Sequence, residues 1–307
     1  MPRLSIVIVS WNVRDLLREC VASIKGQHLE PAPEIIVVDN LSTDGTVEML
    51  RREHPDVHVI EPGENTGFSR GNNLGIRVSG GEYILLLNPD TRVLDDALAR
   101  LVAYLDQHPE VGVVGPQLLN ADGSVQSSRR RFPTLWTAFF ESTWLQPIAP
   151  PPLLDRFYMR DQDDTATCEV DWLQGAALLV RRKAIEQCGL LDEGFFMYSE
   201  ELDWQRRIKA AGWRIVYYPG AQIIHYGGKS SEQVVALLHI HFQTSKIRYF
   251  RKYHGWLAAD ALRGFLLLSY AVQLALEAAK GLIGHKRPLR RARVQAYWQV
   301  LCSGLKG

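Results

Sequence analysis

Between Leu4 and Val114 the sequence alternates between short apolar runs and amphipathic segments, and this alternation constrains the fold more than any other feature. The apolar runs are rich in β-branched residues, which is typical of buried strands. The predicted strands are Leu4–Ser10, Glu34–Asp39, Val57–Ile60, Tyr83–Leu87 and Val111–Val114. Strands that alternate with helices through short connections form a mostly parallel sheet with helices on both faces. The sequence therefore predicts an α/β fold.

The amphipathic segments between the strands have helical spacing, with apolar residues recurring every three or four positions. The predicted helices of this half are Val13–Lys25, Thr46–Glu53, Ser69–Val78 and Asp95–Gln107. Beyond it, Val170–Val180 and Trp213–Tyr218 are predicted strands with a helix, Ser199–Ala211, between them. The pattern predicts one α/β domain over residues 1–230 and a helical C-terminal region over residues 231–307.

Residues 124–165 interrupt the alternation. This stretch holds three consecutive arginines from Arg129, five prolines and seven aromatic residues. Long irregular segments in compact domains are often lids. We therefore expect residues 124–165 to form a partly helical excursion that serves as a lid or an acceptor-binding element.

Charge and cysteine usage exclude several classes of protein. Of the 307 residues, 46% are hydrophobic, which excludes a disordered chain. Residues 246–307 carry twelve Lys and Arg against two Asp and Glu, whereas the rest carries 23 basic and 32 acidic residues. A basic tail on an acidic body argues against nucleic-acid binding and favours an anionic surface as partner. The four scattered cysteines favour a reduced, cytoplasmic location.

Polar residues follow the predicted strands where ligands bind in parallel sheets, at the carboxyl ends. These segments are Ser10-Trp11-Asn12, Asp39-Asn40, Asn65-Thr66-Gly67-Phe68, Asn88-Pro89-Asp90 and, later, Glu200-Glu201-Leu202-Asp203. Each one alone is equally well explained as a turn or a helix N-cap.

Their order, followed by His225-Tyr226-Gly227-Gly228-Lys229-Ser230, resembles the family 2 glycosyltransferases with the GT-A fold, specifically the rhamnosyltransferase-like branch. The resemblance extends from Leu4 to about Ser231. It implies a GT-A sheet flanked by helices and an inverting, metal-dependent hexosyltransferase that uses a nucleotide sugar.

The resemblance assigns donor contacts to residues at neighbouring strand ends. Asp39 would accept hydrogen bonds from the base or ribose. The full predicted nucleotide-sugar set is Ser10, Asn12, Asp39, Asn65, Gly67, Asn73, Asn88 and Asp90. Gly75 is instead expected to serve helix–sheet packing, because glycine allows a close approach of the backbone.

A diphosphate leaving group calls for a divalent cation, and Asp90 is the predicted carboxylate ligand. The family pattern is often Asp-x-Asp, whereas Asn88 stands in the first position here. The resemblance gives the second protein ligand as His225. A site dominated by oxygen ligands suits Mg²⁺ or Mn²⁺.

The proton of an acceptor hydroxyl needs a base, and Glu200, Glu201 and Asp203 offer three carboxylates at a helix start. Like charges this close are expected to raise at least one pKa. By resemblance Glu201 is the base, although it is one methylene longer than the usual Asp. Asp203 is the second candidate, and Glu200 would hold the acceptor sugar.

The resemblance implies acceptor contacts for Trp172 and Gly175, and Arg130 is a further candidate. An indole face suits a sugar ring, although a core tryptophan is an equal explanation. Arg129 and Arg130 could meet phosphate, and a solvated basic loop is the equal alternative.

The C-terminal segment Gly264–Ile283 has nearly the length of a membrane-spanning helix. Ser269, Gln273, Glu277 and Lys280 give it one polar stripe, and the basic run 285–293 follows. This pattern favours a helix on the inner surface of an anionic membrane. The alternatives are a docked helical hairpin and a homo-oligomer formed through these helices.

The sequence thus predicts transfer of a sugar to a hydroxyl of a lipid-linked or cell-surface glycan. The resemblance suggests L-rhamnose from dTDP-rhamnose, and UDP-sugars stay open as donors. The alternative is a GT-A module that binds a nucleotide sugar or glycan without transfer, motivated by the Asn88 and Glu201 departures.

Overall fold

We describe a computed structural model of the chain over residues 2–141, 143–227, 235–283 and 286–306. Twelve strands are described in this part of the chain. They are β1 (Leu4–Ser10), β2 (Glu34–Asp39), β3 (His58–Ile60), β4 (Tyr83–Leu87), β5 (Thr91–Val93), β6 (Val111–Leu119), β7 (Val125–Gln126), β8 (Arg129–Arg130), β9 (Cys168–Glu169), β10 (Trp172–Leu173), β11 (Ala177–Arg181) and β12 (Arg214–His225).

The helices follow the predicted alternation. They are α1 (Arg14–Lys25), α2 (Thr46–Glu53), α3 (Gly67–Val78), α4 (Ala97–Gln107), α5 (Leu135–Phe140), α6 (Pro151–Tyr158), α7 (Arg182–Cys188), α8 (Glu200–Ala210), α9 (Val235–Leu282) and α10 (Arg287–Ser303), with a 3₁₀ turn at Gln146–Ile148. The predicted strand Val170–Val180 was wrong as one element, because its residues are divided between β10 and β11.

A ten-stranded sheet has the order β3-β2-β1-β4-β11-β6-β12-β5, with β7 on β6 and β9 on β12. The half from β3 to β4 is parallel throughout, as predicted. Strand β11 pairs antiparallel with both β4 and β6, and the short β5 pairs antiparallel with β12. The α/β class with a central, mostly parallel sheet is therefore confirmed, with the antiparallel β11 inside the sheet and the antiparallel β5 at its edge.

The core lies on both faces of this sheet, because successive strand side chains point to opposite sides. Ile6 and Ile8 of β1 belong to one buried cluster, which also contains Leu17 of α1. Val7 belongs to the other, which also contains Trp204 of α8. Burying each such side chain contributes about 1.5–3 kcal/mol, so the two faces together fix the strand register.

The described chain divides into two compact units. The first comprises residues 2–132, 158–196 and 200–227, and the second comprises residues 133–157, 197–199 and 235–306. The predicted excursion 124–165 is thus split between them. The predicted boundary at residue 230 lies outside the described residues, and the two-domain division stays a prediction.

In the second unit, α9 is broken at Gly255, where the backbone leaves the helical conformation (φ 83°, ψ 171°). Of the predicted polar stripe, Lys280 is exposed, whereas two other members face inward. Ser269 and Glu277 are buried, and Arg290 of α10 donates a hydrogen bond to the Glu277 carboxylate. The outward stripe of α9 is apolar, with Leu268, Val272, Leu276 and Leu282 all exposed. Polar groups therefore form the helix–helix seam, and leucines meet solvent.

Gly75 of α3 packs on β1, as the sequence predicts. A Cβ atom at Gly75 would lie 2.3 Å from Cγ1 of Val7, which is closer than real carbon atoms approach. Gly75→Ala is therefore expected to lower the free energy of unfolding by about 1–3 kcal/mol, measured by urea denaturation.

The matched control is the double variant Gly75→Ala, Val7→Ala, which removes the two methyl groups of Val7 that the new Cβ meets. Its loss of stability should be smaller than the sum of the two single losses, because the clash is relieved. Strictly additive losses would show that the contact with Val7 does not cause the loss of stability in Gly75→Ala.

Candidate functional site

The carboxyl ends of β1 and β2 bring Ser10 and Asp39 side by side in the parallel ladder. Both residues are buried. One oxygen of Asp39, Oδ2, accepts the Ser42 N–H at 2.9 Å. Within the described residues, Asp39 Oδ1 and Ser10 Oγ have no hydrogen-bond partner. Burial raises the pKa of the Asp39 carboxyl. Buried polar atoms normally have partners, so these two indicate a ligand position.

Asn12 shapes the loop beside this strand end. Its Oδ1 accepts the Thr43 N–H at 2.7 Å, and its own N–H donates to Ser42 Oγ at 2.9 Å. It also has a positive φ of 52°, which asparagine tolerates better than most residues. Asn12 thus holds residues 42 and 43 next to Asp39.

The segment Asn65-Thr66-Gly67 starts α3 with a close backbone approach. Gly67 has φ 72°, and a Cβ there would lie 2.4 Å from the carbonyl oxygen of Phe196. The Phe68 N–H donates to that same oxygen at 2.7 Å, and Asn65 Oδ1 accepts the Gly67 N–H at 3.0 Å. Gly67 therefore lets residue 196 dock on α3, close in sequence to the acidic helix start.

Asn73 has the contacts of a structural residue. Its Nδ2 donates to the Leu191 carbonyl and to Glu193 Oε1, both at 2.9 Å, and its Oδ1 accepts the Leu191 N–H. The side chain is buried and its amide is engaged on both sides. These contacts tie Leu191 to α3 and disfavour the predicted donor contact.

Asn88, Asp90 and His225 come together because β5, which directly follows Asp90, pairs with the end of β12 (His225 opposite Thr91). His225 Nε2 lies 3.4 Å from Asp90 Oδ1 and 3.3 Å from Asn88 Nδ2. Asp90 is buried, and Asn88 Oδ1 is a buried atom that lacks a partner in the described chain.

These side chains fit a divalent cation. An imidazole nitrogen, a carboxylate and an unpartnered amide oxygen are hard or borderline donors of the kind that Mg²⁺ and Mn²⁺ accept. Among the residues described here, no group of three His, Cys, Asp or Glu side chains forms a metal cluster. The protein would therefore offer an incomplete ligand set, which a bound diphosphate can complete.

The acidic pair Glu200–Glu201 begins α8, where the helix dipole favours carboxylates. Burial raises the pKa of both carboxyls, well above the ordinary value for Glu200, and the neighbouring charge adds to the effect at Glu200. The N–H groups of Leu202 and Gly175 hydrogen bond to Glu201 and oppose the rise in its pKa. Oε2 of each residue has no partner in the described chain, which leaves an acceptor on each carboxyl.

Asp203 differs from its two neighbours. It is fully buried, and its Oδ2 accepts a hydrogen bond from Arg207 Nε at 2.9 Å within an ion pair. Breaking a buried ion pair costs about 3–5 kcal/mol, so this contact favours a structural role. Asp203 stays the second candidate for the base on sequence grounds alone.

Trp172 and Gly175 lie on a segment that docks on α8. Gln205 Oε1 accepts the Leu173 N–H at 2.9 Å, and Gln205 Nε2 donates to the Leu173 carbonyl at 2.8 Å. This clamp brings Gly175 against Glu201, with a Cβ at Gly175 3.5 Å from the Glu201 side chain. The indole N–H of Trp172 donates to the Arg131 carbonyl at 3.0 Å.

Arg129 and Arg130 do not form a solvated loop, because both side chains are buried. Arg130 lies over the Tyr158 ring at 4.6 Å and donates to Ser127 Oγ at 2.9 Å. Arg129 pairs with Asp164 and lies over the Tyr217 ring. The alternative of a solvated basic loop was therefore wrong for these two residues, since pairing and ring stacking hold them inside.

One backbone contact joins the two halves of the site. The Asn88 N–H donates to the Ala176 carbonyl at 2.9 Å, and Ala176 directly follows Gly175, which contacts Glu201. The carboxylate–imidazole pair Asp90–His225 and the acidic pair are therefore connected through adjacent residues.

Two glutamines that sequence reasoning missed organise this region. Gln205 lies four residues after Glu201 on α8, so helical spacing alone could have placed it on the same face. Gln126 Oε1 lies 2.6 Å from His225 Nδ1, across 99 residues of sequence. No local pattern marks such a distant contact.

The model of the family described as "Glycosyl transferase family 2" matches residues 5–189. A curated protein of Mycobacterium tuberculosis, named N-acetylglucosaminyl-diphospho-decaprenol L-rhamnosyltransferase, is 30% identical over 280 residues, covering 86% of this chain and 91% of that protein. The rhamnosyltransferase WbbL of Escherichia coli is 26% identical over 229 residues, covering 72% of this chain and 82% of WbbL.

Among solved structures, the chain is similar to mannosyltransferase PcManGT from Pyrobaculum calidifontis, solved with GDP-Man and Mn²⁺. The TM-score is 0.58 at 18% identity, and the match covers 99% of this chain and 86% of the other. At this identity the likeness supports the fold alone, and it confirms the GT-A expectation.

Proposed function

The chain belongs to glycosyl transferase family 2 and is a glycosyltransferase, and on this basis we propose that it moves L-rhamnose from a nucleotide sugar to a hydroxyl of a lipid-linked glycan. The observation that carries the proposal is a site with two groups of polar side chains, one suited to each substrate. Unpartnered polar atoms at the ends of β1, β2 and β4 face a donor, and the buried acidic pair on α8 faces an acceptor. The non-catalytic module has less support, because the acidic pair and Asp90 are both present.

We infer a single displacement with inversion. Glu201 takes the proton of the acceptor hydroxyl, and the hydroxyl oxygen forms a bond to the anomeric carbon. The bond from that carbon to the diphosphate oxygen breaks on the opposite face, and its electron pair leaves with the nucleoside diphosphate. Burial raises the pKa of both Glu200 and Glu201, so the pair disfavours double ionisation, and we assign the role of base to Glu201.

Asp39 and Ser10 would hold the nucleoside, with Asn12 shaping the loop beside them. Asp90, His225 and Asn88 would hold Mg²⁺ or Mn²⁺, which when bound neutralises charge on the diphosphate. Trp172 and Gly175 would border the acceptor, and Arg130 would support that border from the interior.

Glu201→Gln removes the proposed base with little change in shape. Transfer should fall by a factor of about 10²–10⁴. Binding of the dTDP-sugar should stay close to wild type, because the proposed donor contacts lie at strand ends and not on α8. The measurement is release of nucleoside diphosphate in the presence of acceptor, with donor affinity determined separately.

The comparison variant is Asp203→Asn in the same acidic segment. We expect it to lower stability through the Arg207 ion pair and to retain most of the turnover of the folded fraction. Full turnover in Glu201→Gln together with loss of turnover in folded Asp203→Asn would move the base to Asp203. The same assay with UDP-sugars in place of the dTDP-sugar measures the donor preference.

Asp90→Asn tests the metal proposal. Removing the carboxylate charge should weaken Mn²⁺ binding by more than about tenfold, because charge is the main attraction for a hard cation. Isothermal titration of Mn²⁺ into protein with dTDP measures this. Asp56→Asn, an exposed acid outside the site, is the control. Equal Mn²⁺ affinity in all three proteins would contradict the assignment.

We further propose that the second unit binds the cytoplasmic face of an anionic membrane. The helix Ala236–Leu282 is long and apolar enough to cross a bilayer, and 22% of its apolar window is buried, which alone is weak support. Stronger support is the exposed apolar stripe Leu268–Val272–Leu276. Beside it, a cavity of about 650 Å³ is lined by Arg287, Arg290 and Arg291 together with Leu282 and Trp298.

This cavity combines arginines, which suit a lipid phosphate, with apolar groups that suit acyl chains. Arg290 is neutralised by Glu277, whereas Arg287 and Arg291 have no acidic partner among the described residues. Two uncompensated cations near an anionic surface contribute about 1 kcal/mol each.

Arg287→Gln, Arg291→Gln should therefore reduce binding to phosphatidylglycerol-containing vesicles about 30-fold, measured by co-sedimentation. The control Arg51→Gln, Arg52→Gln removes the same charge from exposed positions on α2 and should bind like wild type. If no form binds vesicles and light scattering shows a dimer, the apolar stripe instead contacts a second copy.

A further inference from the structure

The hairpin between β6 and β7 connects to His225 through a chain of side-chain hydrogen bonds. It begins at the turn Asn120–Ser124, where Gly123 has φ 84° and its N–H donates to the Asn120 carbonyl at 3.0 Å. An Asn-x-Asp-Gly sequence is well suited to such a turn. The turn places three polar side chains in a row toward the end of β12.

The direction of each hydrogen bond in this row follows from its neighbour. The Asp122 carboxylate only accepts, so the Ser124 hydroxyl donates to it at 2.6 Å. Ser124 Oγ can then accept from Asn120 Nδ2 at 2.9 Å. The Asn120 amide oxygen is thereby turned toward Gln126.

Gln126 is oriented by two oxygen acceptors. Its Nε2 donates to Asn120 Oδ1 at 2.9 Å and to the His225 carbonyl at 3.2 Å. A reversed amide would set oxygen against oxygen at both contacts. Gln126 Oε1 must therefore face the ring, where it lies 2.6 Å from His225 Nδ1.

An acceptor at that distance requires a proton on Nδ1. In the neutral imidazole the other nitrogen, Nε2, then has no proton and presents its lone pair. That lone pair faces Asn88 Nδ2 at 3.3 Å and Asp90 Oδ1 at 3.4 Å. A lone pair and a carboxylate oxygen side by side form an arrangement that attracts a cation.

We propose that the hairpin 120–126 is a positioning device that holds His225 as the Nδ1–H tautomer and so presents Nε2 to a divalent cation. Gln126 is the positioning residue, and Asn120 with Ser124 sets its orientation. This inference rests on the proposed metal role of His225. An outer partner that fixes the tautomer of a ligating histidine typically changes metal affinity by about 10–100-fold.

The test uses the full chain labelled with ¹⁵N at histidine, at pH 8 without metal. The nitrogen resonances of His225 are assigned by their loss in His225→Asn. In wild type we expect Nδ1 to show the protonated, pyrrole-type shift and Nε2 the unprotonated, pyridine-type shift. In Gln126→Leu this population should decrease in favour of the Nε2–H form, and Mn²⁺ affinity in the presence of dTDP should fall about 10–100-fold.

The matched control is Gln222→Leu. Gln222 also lies on β12, but its amide donates to Gln117 Oε1 at 2.7 Å and not to His225. It should leave the tautomer and the Mn²⁺ affinity unchanged. A pair of turn variants covers the case that Gln126→Leu does not fold. Asn120→Ala should loosen the tautomer preference, whereas Asn120→Asp should retain it, since its carboxylate still accepts from Gln126.

An unchanged tautomer in folded Gln126→Leu, or in Asn120→Ala, overturns the inference even if metal affinity falls. A wild-type Nδ1–H ring in a protein that does not bind Mn²⁺ supports the positioning device and rejects the metal assignment instead. The two proposals can therefore fail separately.

Discussion

Strand β4 is hydrogen bonded on both sides, parallel to β1 and antiparallel to β11, and the site depends on this double pairing. The parallel side puts the end of β4 at the same edge as Ser10 and Asp39. The antiparallel side puts Asn88 against Ala176, next to Gly175 and Glu201. The strand ends that hold Ser10 and Asp39 and the acidic helix start can both be linked to β4 because β11 runs in the opposite direction to its neighbour.

Unsatisfied buried polar atoms concentrate along this edge. They include Ser10 Oγ, Asp39 Oδ1, Asn88 Oδ1, Glu200 Oε2 and Glu201 Oε2. Each such atom costs about 1–3 kcal/mol relative to a partnered one, so their concentration lowers stability where a ligand would restore the missing bonds. The packing of the clusters around Ile6 and Trp204 contributes favourable free energy of folding that offsets this local cost.

The strongly periodic elements could be predicted from the sequence. Leu4–Ser10, Glu34–Asp39 and Tyr83–Leu87 match the observed strands at both ends, because buried parallel strands are continuous apolar runs. Short antiparallel strands such as β5 are defined by partners rather than by composition. For the same reason, the placement of Gln126 and Gln205 could not be predicted, since each acts across the fold. The buried state of Arg130 depends on Tyr158, which no spacing rule connects to it.

The polar seam and the exposed leucine face of α9 make the second unit respond to ionic strength in two different ways. The seam between Glu277 and Arg290 is electrostatic, and added salt screens such attraction where water reaches it. Salting-out conditions strengthen association through the leucine face, because ions that are excluded from the protein surface favour burial of apolar groups. Concentrated sulfate would thus change this largely buried ion pair little but promote clustering of molecules, whereas a mild amphiphile would cover the leucine face.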